Sequence, residues 1–144
     1  LGTGYRFKKG KFDRILVDAP CSATGTLMRS LKTIQMWNPK MIKNLSRIQK
    51  RLLQTAFENL KEGGTLVYST CTLEPEEDEG VISEFLEKNK TAKLEPIKLP
   101  GLKSSEPILE FNREKYNPEV KKCLRIWPQD NGTEGFFVAK IKKG

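Results

Sequence analysis

Three stretches of the chain are apolar in the short, largely uninterrupted way that is typical of buried strands. They are RILVDAP at 14–20, TLVYST at 65–70 and GFFVAKI at 135–141. Each contains β-branched or aromatic residues, and a proline closes the first, as at a strand that leads into a loop. A weaker stretch, LEPIKL at 94–99, indicates one more strand. The pattern therefore predicts four strands.

Between the first two strands the apolar positions change to a helical period. Apolar residues recur at steps of three and four from Met41 to Leu60, which predicts an amphipathic helix. Asn38-Pro39 predicts its start and Gly63-Gly64 its end. The opposite side of this helix carries a basic stripe, formed by Lys43, Arg47 and Arg51.

A second helix is predicted to begin at about Pro75, with acidic residues gathered in a first turn where the helix dipole favours them. Residues 99–122 contain several prolines and no period, which predicts an irregular excursion. The order strand, helix, strand, helix, strand, strand predicts a single α/β domain over residues 1–144. In such a domain we expect helices to cover a mostly parallel sheet.

Two cysteines follow two of the predicted strands: Cys21 comes after the first and Cys71 after the second. Binding residues of α/β sheets collect at the carboxyl ends of strands. If these strands are neighbours, about 4.8 Å apart, both thiols face one pocket. The start of a helix just after Cys71 would lower the pKa of its thiol, whereas the acids at 74–79 would raise it, and the sum is left open. Cys123 is interpreted as a core residue.

The charge and the counts of histidine and cysteine limit the partners and the kinds of site that the chain can have. The formal net charge is +8 and the isoelectric point about 9.4, with no acidic residue from Ala19 to Phe57, which favours an anionic partner such as RNA. The chain has no histidine and three cysteines without CxxC spacing, which argues against a metal site or a His-based triad. No apolar run reaches the roughly 18 residues of a membrane span. Unpaired cysteines fit a reducing, cytoplasmic setting.

Three motifs follow one another along the chain: DAPCSATG at 18–25, LVYSTCTLEPEE at 66–77 and LRIWPQDNGTEGFFVAKI at 124–141. Together they span nearly the whole chain. In this order they resemble the signatures of a known family, the Sun-family (Fmu-type) RNA cytosine-5 methyltransferases. The resemblance implies a Rossmann-like, S-adenosylmethionine-dependent methyltransferase fold and an rRNA or tRNA substrate.

The resemblance also implies roles for individual residues. Cys71 matches the catalytic nucleophile, and Cys21 matches a second cysteine that helps to release the methylated product. Asp18 matches the aspartate that lies between the cytosine and the methyl donor, and Pro20 is placed with it on the cofactor side. A thiolate added to carbon 6 of cytosine makes carbon 5 able to attack a sulfonium methyl group, and a second thiol can assist the later elimination.

The basic loop after Cys21 is the candidate RNA contact, through Arg29, Lys32 and Trp37. Gly25 is interpreted as shaping the loop backbone. Phe136 and Phe137 are interpreted mainly as core residues, with stacking on a base as the alternative.

The family's glycine-rich methyl-donor loop has no counterpart ahead of the first motif. The chain is therefore interpreted as the C-terminal half of the catalytic sheet, strands four to seven, with the N-terminal half of the same domain missing. An apolar strand left at a sheet edge predicts pairing with that half or with another copy, as a homodimer or swapped assembly.

Two other functions stay open. One is a non-catalytic RNA-binding or assembly module that retains the methyltransferase shell, and the other is a small-molecule or protein methyltransferase. Two placed thiols beside Asp18 favour the RNA enzyme, because a pure binding module has no use for them.

Overall fold

The computed structural model describes residues 10–144, so residues 1–9 of the predicted domain lie outside the described residues. The helices and strands are β1 (Phe12–Asp18), α1 (Lys32–Met36), α2 (Pro39–Asn59), β2 (Leu60–Thr70), α3 (Glu79–Lys88), β3 (Ala92–Glu95), β4 (Glu110–Phe111), β5 (Glu114–Lys115), β6 (Leu124–Ile126), α4 (Pro128–Asn131) and β7 (Phe136–Lys143). Two 3-10 turns, at Thr24–Thr26 and Pro118–Lys122, complete the described elements.

The main sheet has the order β1-β2-β7-β3, and β6 also pairs with β7. β1 and β2 run parallel, whereas β7 is antiparallel to β2, β3 and β6. Among the described strands of this sheet, β1, β2, β3 and β6 therefore run in one direction, as predicted, and β7 alone runs against them, which makes the sheet mixed. The reversal of β7 relative to β6 follows from the connection at 127–135, which is shorter than the roughly dozen residues that a parallel crossover needs.

The ends of α2 and β3 both differ from the predicted ends. α2 passes directly into β2 at Leu60, so Gly63-Gly64 lies inside a strand and does not end the helix. Gly63 has a φ of 75°, which glycine adopts without strain, and the pairing of β1 with β2 changes register near this point. β3 ends at Glu95 and does not continue to 99, because Pro96 has no N–H to give to a strand ladder.

α3 begins at Glu79, later than the predicted start near Pro75. The preceding residues form turns in which the N–H groups of Asp78 and Gly80 both donate to the carbonyl of Pro75, at 3.2 and 2.8 Å. Glu77, Asp78 and Glu79 of this segment are buried, and of the predicted first-turn acids only Glu79 lies in the first turn of α3.

Alternate residues of the two central strands form the core. Leu66 and Tyr68 of β2 and Phe137 of β7 have no exposed surface. Helices α2 and α3 cover this face with Leu53, Phe57, Val81, Ile82 and Phe85. The rings of Phe57 and Phe85 meet edge to face, with centroids 5.1 Å apart. The predicted apolar face of α2 is confirmed, and its basic stripe is exposed.

Among residues 10–144, β1 pairs with β2 alone and so forms one edge of the sheet. Leu16, in the middle of this edge strand, is 68% exposed. A long, apolar strand edge of this kind is a surface on which another strand can pair. None of the helices that the structure describes has the length and apolar character needed to cross a membrane.

Candidate active site

Cys21 and Cys71 meet where β1 and β2 end. The two strands are parallel and in register at Asp18 and Ser69, so their carboxyl ends lie side by side. The Sγ atoms of the two cysteines are 3.2 Å apart, within hydrogen-bonding distance. The expectation that both thiols share one site is met.

The contact between the sulfurs makes the two thiols chemically different. The Cys21 S–H donates to Cys71 and is the largest cause that lowers the pKa of Cys71, to about 7. Burial, Asp18 and Glu134 act in the opposite direction on the same thiol. The pKa of Cys21 is raised, first by its hydrogen bond to Cys71 and then by burial. Cys71 is therefore the thiol that ionises near neutral pH, and Cys21 is the proton donor that stabilises it.

The sequence had proposed a different cause for the pKa of Cys71. α3 starts at Glu79, too far along the chain for its dipole to act on Cys71 as a neighbouring helix end, since that effect falls off within a turn. The acids at 77–79 are buried with partners of their own. Neither influence is among the largest causes that act on the pKa of Cys71, and the hydrogen bond from the second thiol is the largest of these causes.

Asp18 and Pro20 are exposed at the end of β1. A carboxylate oxygen of Asp18 accepts a long hydrogen bond, 3.5 Å, from the hydroxyl of Ser69. The Pro20 carbonyl accepts a hydrogen bond of 2.9 Å from the amide of Gln49 on α2. Asp18 therefore stands beside the thiols with its carboxylate open to solvent.

Gly25 joins the three sequence motifs through its backbone. Its N–H donates to the carbonyl of Cys71 at 2.9 Å, and its carbonyl accepts from the N–H of Gly135 at 2.8 Å. A Cβ at position 25 would lie 2.5 Å from the Gly135 oxygen and 2.7 Å from the Cys71 oxygen. Only glycine allows this approach, which agrees with the interpretation of Gly25 as a backbone-shaping residue.

Glu77 is a functional candidate that the sequence reasoning missed. Its carboxylate is fully buried and lies between the loops that carry the two cysteines. It accepts hydrogen bonds from Ser22, Thr72 and Gln49. The sequence signal was an acid-rich run after Cys71, and that run was interpreted as the first turn of a helix.

Arg125 is a second missed residue. Its guanidinium is fully buried, pairs with Glu79 at 2.7 Å and Asp78 at 3.3 Å, and donates to the carbonyl of Leu73 at 2.9 Å. Asp78 in turn accepts from the hydroxyl of Thr70, the last residue of β2. The available signal for this role was the arginine within the third motif, in the stretch RIWP at 125–128.

The candidate RNA contacts lie on the surface near the thiols. Arg29 is exposed and pairs with Glu134 at 2.6 Å, and Lys32 is exposed on α1. Trp37 is 45% exposed, and its indole N–H donates to Glu74 at 2.9 Å. Trp37 also lines a groove of about 470 Å³ with, among others, Lys43 and Tyr116.

The remaining predicted positions are also located. Cys123 is buried, in agreement with its core interpretation, and so is Phe137, whereas Phe136 is 37% exposed. Within residues 10–144, no group of three or more His, Cys, Asp or Glu side chains could hold a metal ion.

Comparison with known proteins places this site in a family. Residues 3–142 match the family model described as 16S rRNA methyltransferase RsmB/F. The chain belongs to the RsmB/F family. A similar protein from Pyrococcus abyssi, a tRNA (cytosine(49)-C(5))-methyltransferase, is 51% identical over 99% of this chain and 45% of its own length. Ribosomal RNA small subunit methyltransferase F of Aeromonas salmonicida is 40% identical over 92% of this chain and 26% of its own.

A solved structure supports the RsmB/F assignment. NSun6 from Pyrococcus horikoshii, described with SFG, has a TM-score of 0.70 and 34% identity over 93% of this chain and 30% of its own. The predicted α/β, Rossmann-like methyltransferase fold is thereby confirmed, with a sheet made mixed by the reversed strand β7. The chain spans less than half the length of these relatives.

Proposed function

We propose that this chain carries the two-thiol part of the active site of an RNA cytosine-5 methyltransferase that uses S-adenosylmethionine. The observation that carries the proposal is the pair of sulfurs 3.2 Å apart at the ends of two adjacent parallel strands. Only one of the two thiols is prepared for ionisation, which is what a nucleophile and its partner require.

Cys71 acts as the nucleophile. Its thiolate forms a bond to carbon 6 of cytosine, and the electrons of the carbon 5–carbon 6 double bond make carbon 5 nucleophilic. Carbon 5 takes the methyl group from the sulfonium donor, which leaves as a neutral thioether. The proton on carbon 5 then passes to water, its bonding electrons form the carbon 5–carbon 6 double bond again, and the carbon 6–sulfur bond breaks so that Cys71 leaves as a thiolate. A thiol with a low pKa is also a better leaving group. The lowered pKa of Cys71 therefore favours its release from carbon 6 as well as its attack on that atom.

Cys21 assists the departure of Cys71. Its sulfur lies 3.2 Å from that of Cys71, and when Cys71 is the thiolate the Cys21 S–H donates to it and stabilises the negative charge. That hydrogen bond is weakened while Cys71 is bonded to carbon 6, since a thioether sulfur is a weak acceptor. It returns in full when the thiolate forms, so Cys21 favours release of the methylated base.

Asp18 and Pro20 are the residues that we assign to the cofactor side. S-adenosylmethionine supplies a methyl group carried on a positively charged sulfur. The exposed carboxylate of Asp18 suits a cation beside the thiols, and the carboxyl end of β1 is where open α/β sheets bind ligands. The same carboxylate can accept a hydrogen bond from the amino group of the cytosine.

The RNA would approach across the basic surface next to this site. Arg29 and Lys32 offer exposed cations, Trp37 offers a partly exposed ring, and the basic stripe of α2 continues beyond them. The named relatives include tRNA and rRNA enzymes. We propose a structured RNA of this kind as the substrate.

Within residues 10–144 β1 is an edge strand, and its outer edge around Leu16 is the proposed assembly surface. It pairs either with further strands of the same domain or with a second copy of the chain, as a homodimer or swapped assembly.

Three free cysteines in the described residues support a reducing, cytoplasmic location.

Trapping with 5-azacytidine RNA tests the proposed reaction. Nitrogen at ring position 5 has no proton to lose, so an adduct with the enzyme cannot break down by the normal elimination. The chain, and a chimera in which residues 3–142 replace the matching segment of the Pyrococcus abyssi relative, are incubated with this RNA and S-adenosylmethionine. We expect a covalent RNA–protein band on a denaturing gel from the chimera.

The controls separate the alternatives. Cys123→Ala leaves the band unchanged because this residue is in the core, and Cys71→Ala removes it. RNA binding without a band would contradict the reaction and favour a non-catalytic module. Neither a band nor RNA binding would favour a methyltransferase with another class of substrate.

A further inference from the structure

We propose that Glu77 is a positioning residue that holds the two thiols against each other. A single buried carboxylate binds the residue after Cys21 and the residue after Cys71. This inference rests on the proposed function for its catalytic meaning, but the geometry it describes can be tested without RNA.

Glu77 binds the first cysteine loop through Ser22. Its Oε1 accepts a hydrogen bond of 3.0 Å from the backbone N–H of Ser22. Its Oε2 accepts a second from the Ser22 hydroxyl. Because Ser22 follows Cys21 directly, these two bonds fix the backbone on which the Cys21 side chain is mounted.

Glu77 binds the second cysteine loop through Thr72. The Thr72 hydroxyl donates to Oε2 of Glu77 at 3.1 Å, and the hydroxyls of Ser22 and Thr72 lie 2.7 Å apart. Thr72 follows Cys71 directly. The carboxylate therefore contacts both loops one residue beyond each thiol.

The carboxylate is itself held in place from two other elements. Gln49 of α2 donates its amide N–H to Oε1 at 2.9 Å and also donates to the carbonyl of Pro20. The hydroxyl of Tyr68 on β2 donates to the backbone carbonyl of Glu77 at 2.8 Å. Hydrogen bonds to a charged, buried acceptor are stronger than those between neutral groups, so this arrangement resists displacement.

The distance between the sulfurs depends on this bridge. The Cys21 S–H lowers the pKa of Cys71 only while the two loops keep their relative position. The other ionisable groups that act on Cys71 are Asp18 and Glu134, and both raise its pKa. Loss of the bridge would leave these two in place and remove the opposing donor.

The sign of the expected change separates positioning from direct electrostatics. Removal of a nearby negative charge would by itself lower the pKa of a thiol. Loss of the Cys21 hydrogen bond raises it. A Glu77→Gln variant whose Cys71 pKa rises has therefore lost the contact between the thiols.

The experiment measures the rate of Cys71 alkylation by iodoacetamide against pH, with the modified peptide identified by mass spectrometry. The chain is used as it stands, with Cys123→Ala to remove the third thiol. We expect an apparent pKa near 7 in the parent and a rise toward the roughly 8.5 of a free cysteine in Glu77→Gln. At pH 7 this corresponds to an alkylation rate about tenfold lower.

Three further variants complete the design. Glu76→Gln is the matched control: it removes the neighbouring carboxylate, whose Oε2 has no hydrogen-bond partner in the described part of the chain, and leaves the profile unchanged. In a Cys21→Ala background, Glu77→Gln gives no further rise, because the donor that it positions is already gone. Thr72→Val removes one bond of the bridge and shifts the profile in the same direction if Glu77→Gln fails to fold.

An unchanged or lowered pKa in folded Glu77→Gln or Thr72→Val, with a reduced melting temperature only, would overturn the inference and leave Glu77 as a structural residue. The 5-azacytidine band of the parent chimera is a separate result. Its absence would contradict the proposed function, whereas the alkylation profile would still decide whether Glu77 holds the thiols together.

Discussion

At the scale of single residues, the central feature is the division of roles between two chemically identical side chains. Cys21 and Cys71 differ because one donates its proton to the other, and because Cys21 is the more strongly affected by burial. Without the second thiol, the largest remaining cause would be burial, which raises the pKa of Cys71, as do the carboxylates of Asp18 and Glu134, and a backbone hydrogen bond would oppose them. The second thiol thus makes the first one reactive near neutral pH.

Removal of the donor tests this account of the pKa. In Cys21→Ala we expect the apparent pKa of Cys71 to rise from about 7 to 8.5 or above, because the remaining influences disfavour the thiolate. The measurement is the pH profile of Cys71 alkylation. As the pH is lowered, the alkylation rate of Cys71 then falls at higher pH values in the variant than in the parent. An unshifted profile would show that the sulfurs do not interact.

The two cysteines also have different kinetic signatures in the chimera. Cys71→Ala abolishes methyl transfer to ordinary RNA, because no bond to carbon 6 can form. Cys21→Ala forms that bond and releases it slowly, so a covalent RNA adduct accumulates on a denaturing gel. Normal turnover in Cys71→Ala would contradict the assignment of the nucleophile.

At the scale of elements, the ends of β1 and β2 and the start of β7 are locked together by backbone hydrogen bonds through Gly25. Gly25→Ala places a Cβ within 2.7 Å of two carbonyl oxygens, so one of the loops must move. We expect a loss of about 1–3 kcal/mol in the free energy of unfolding by urea titration, together with a raised pKa of Cys71. Full stability with an unchanged thiol profile would argue against this close approach.

The buried cluster around Arg125 joins the second cysteine loop to β6. Arg125→Met removes the cation and leaves the carboxylates of Asp78 and Glu79 buried without it. We expect a loss of about 3–5 kcal/mol in the free energy of unfolding, measured by urea titration. Arg51→Met, at an exposed position of α2, serves as the control and should lie within about 0.5 kcal/mol of the parent. Equal stabilities of the two variants would contradict the structural role of the cluster.

The sequence predicted the thiol pair because the pair depends on simple rules: two apolar runs, a parallel neighbour and ligands at the strand ends. The sequence-based predictions were wrong where the tertiary contacts of a segment differ from what its local pattern indicates. Acids after Cys71 have the pattern of a helix start, but Glu77 and Glu79 are fully buried by partners distant in sequence. The direction of β7 was missed because the short connection at 127–135 was not weighed against the length that a parallel crossover requires.

At the scale of the whole molecule, the main feature is the edge of the sheet. Among the described residues β1 is an edge strand, and its Leu16 is exposed. We expect the isolated chain to form a dimer or larger assembly at micromolar concentration, measured by light scattering. Leu16→Lys places a charge on this edge and shifts the population toward monomer. A monomeric parent chain would contradict the proposed assembly surface.

The most direct test of the central claim is to identify the cysteine that bonds to RNA. The 5-azacytidine adduct of the parent chimera is digested with protease and nuclease, and the modified peptide is sequenced by mass spectrometry. The account predicts that the nucleotide is attached to Cys71, within the peptide that also contains Thr72, and that Cys21 remains a free thiol. Attachment to Cys21 would contradict it.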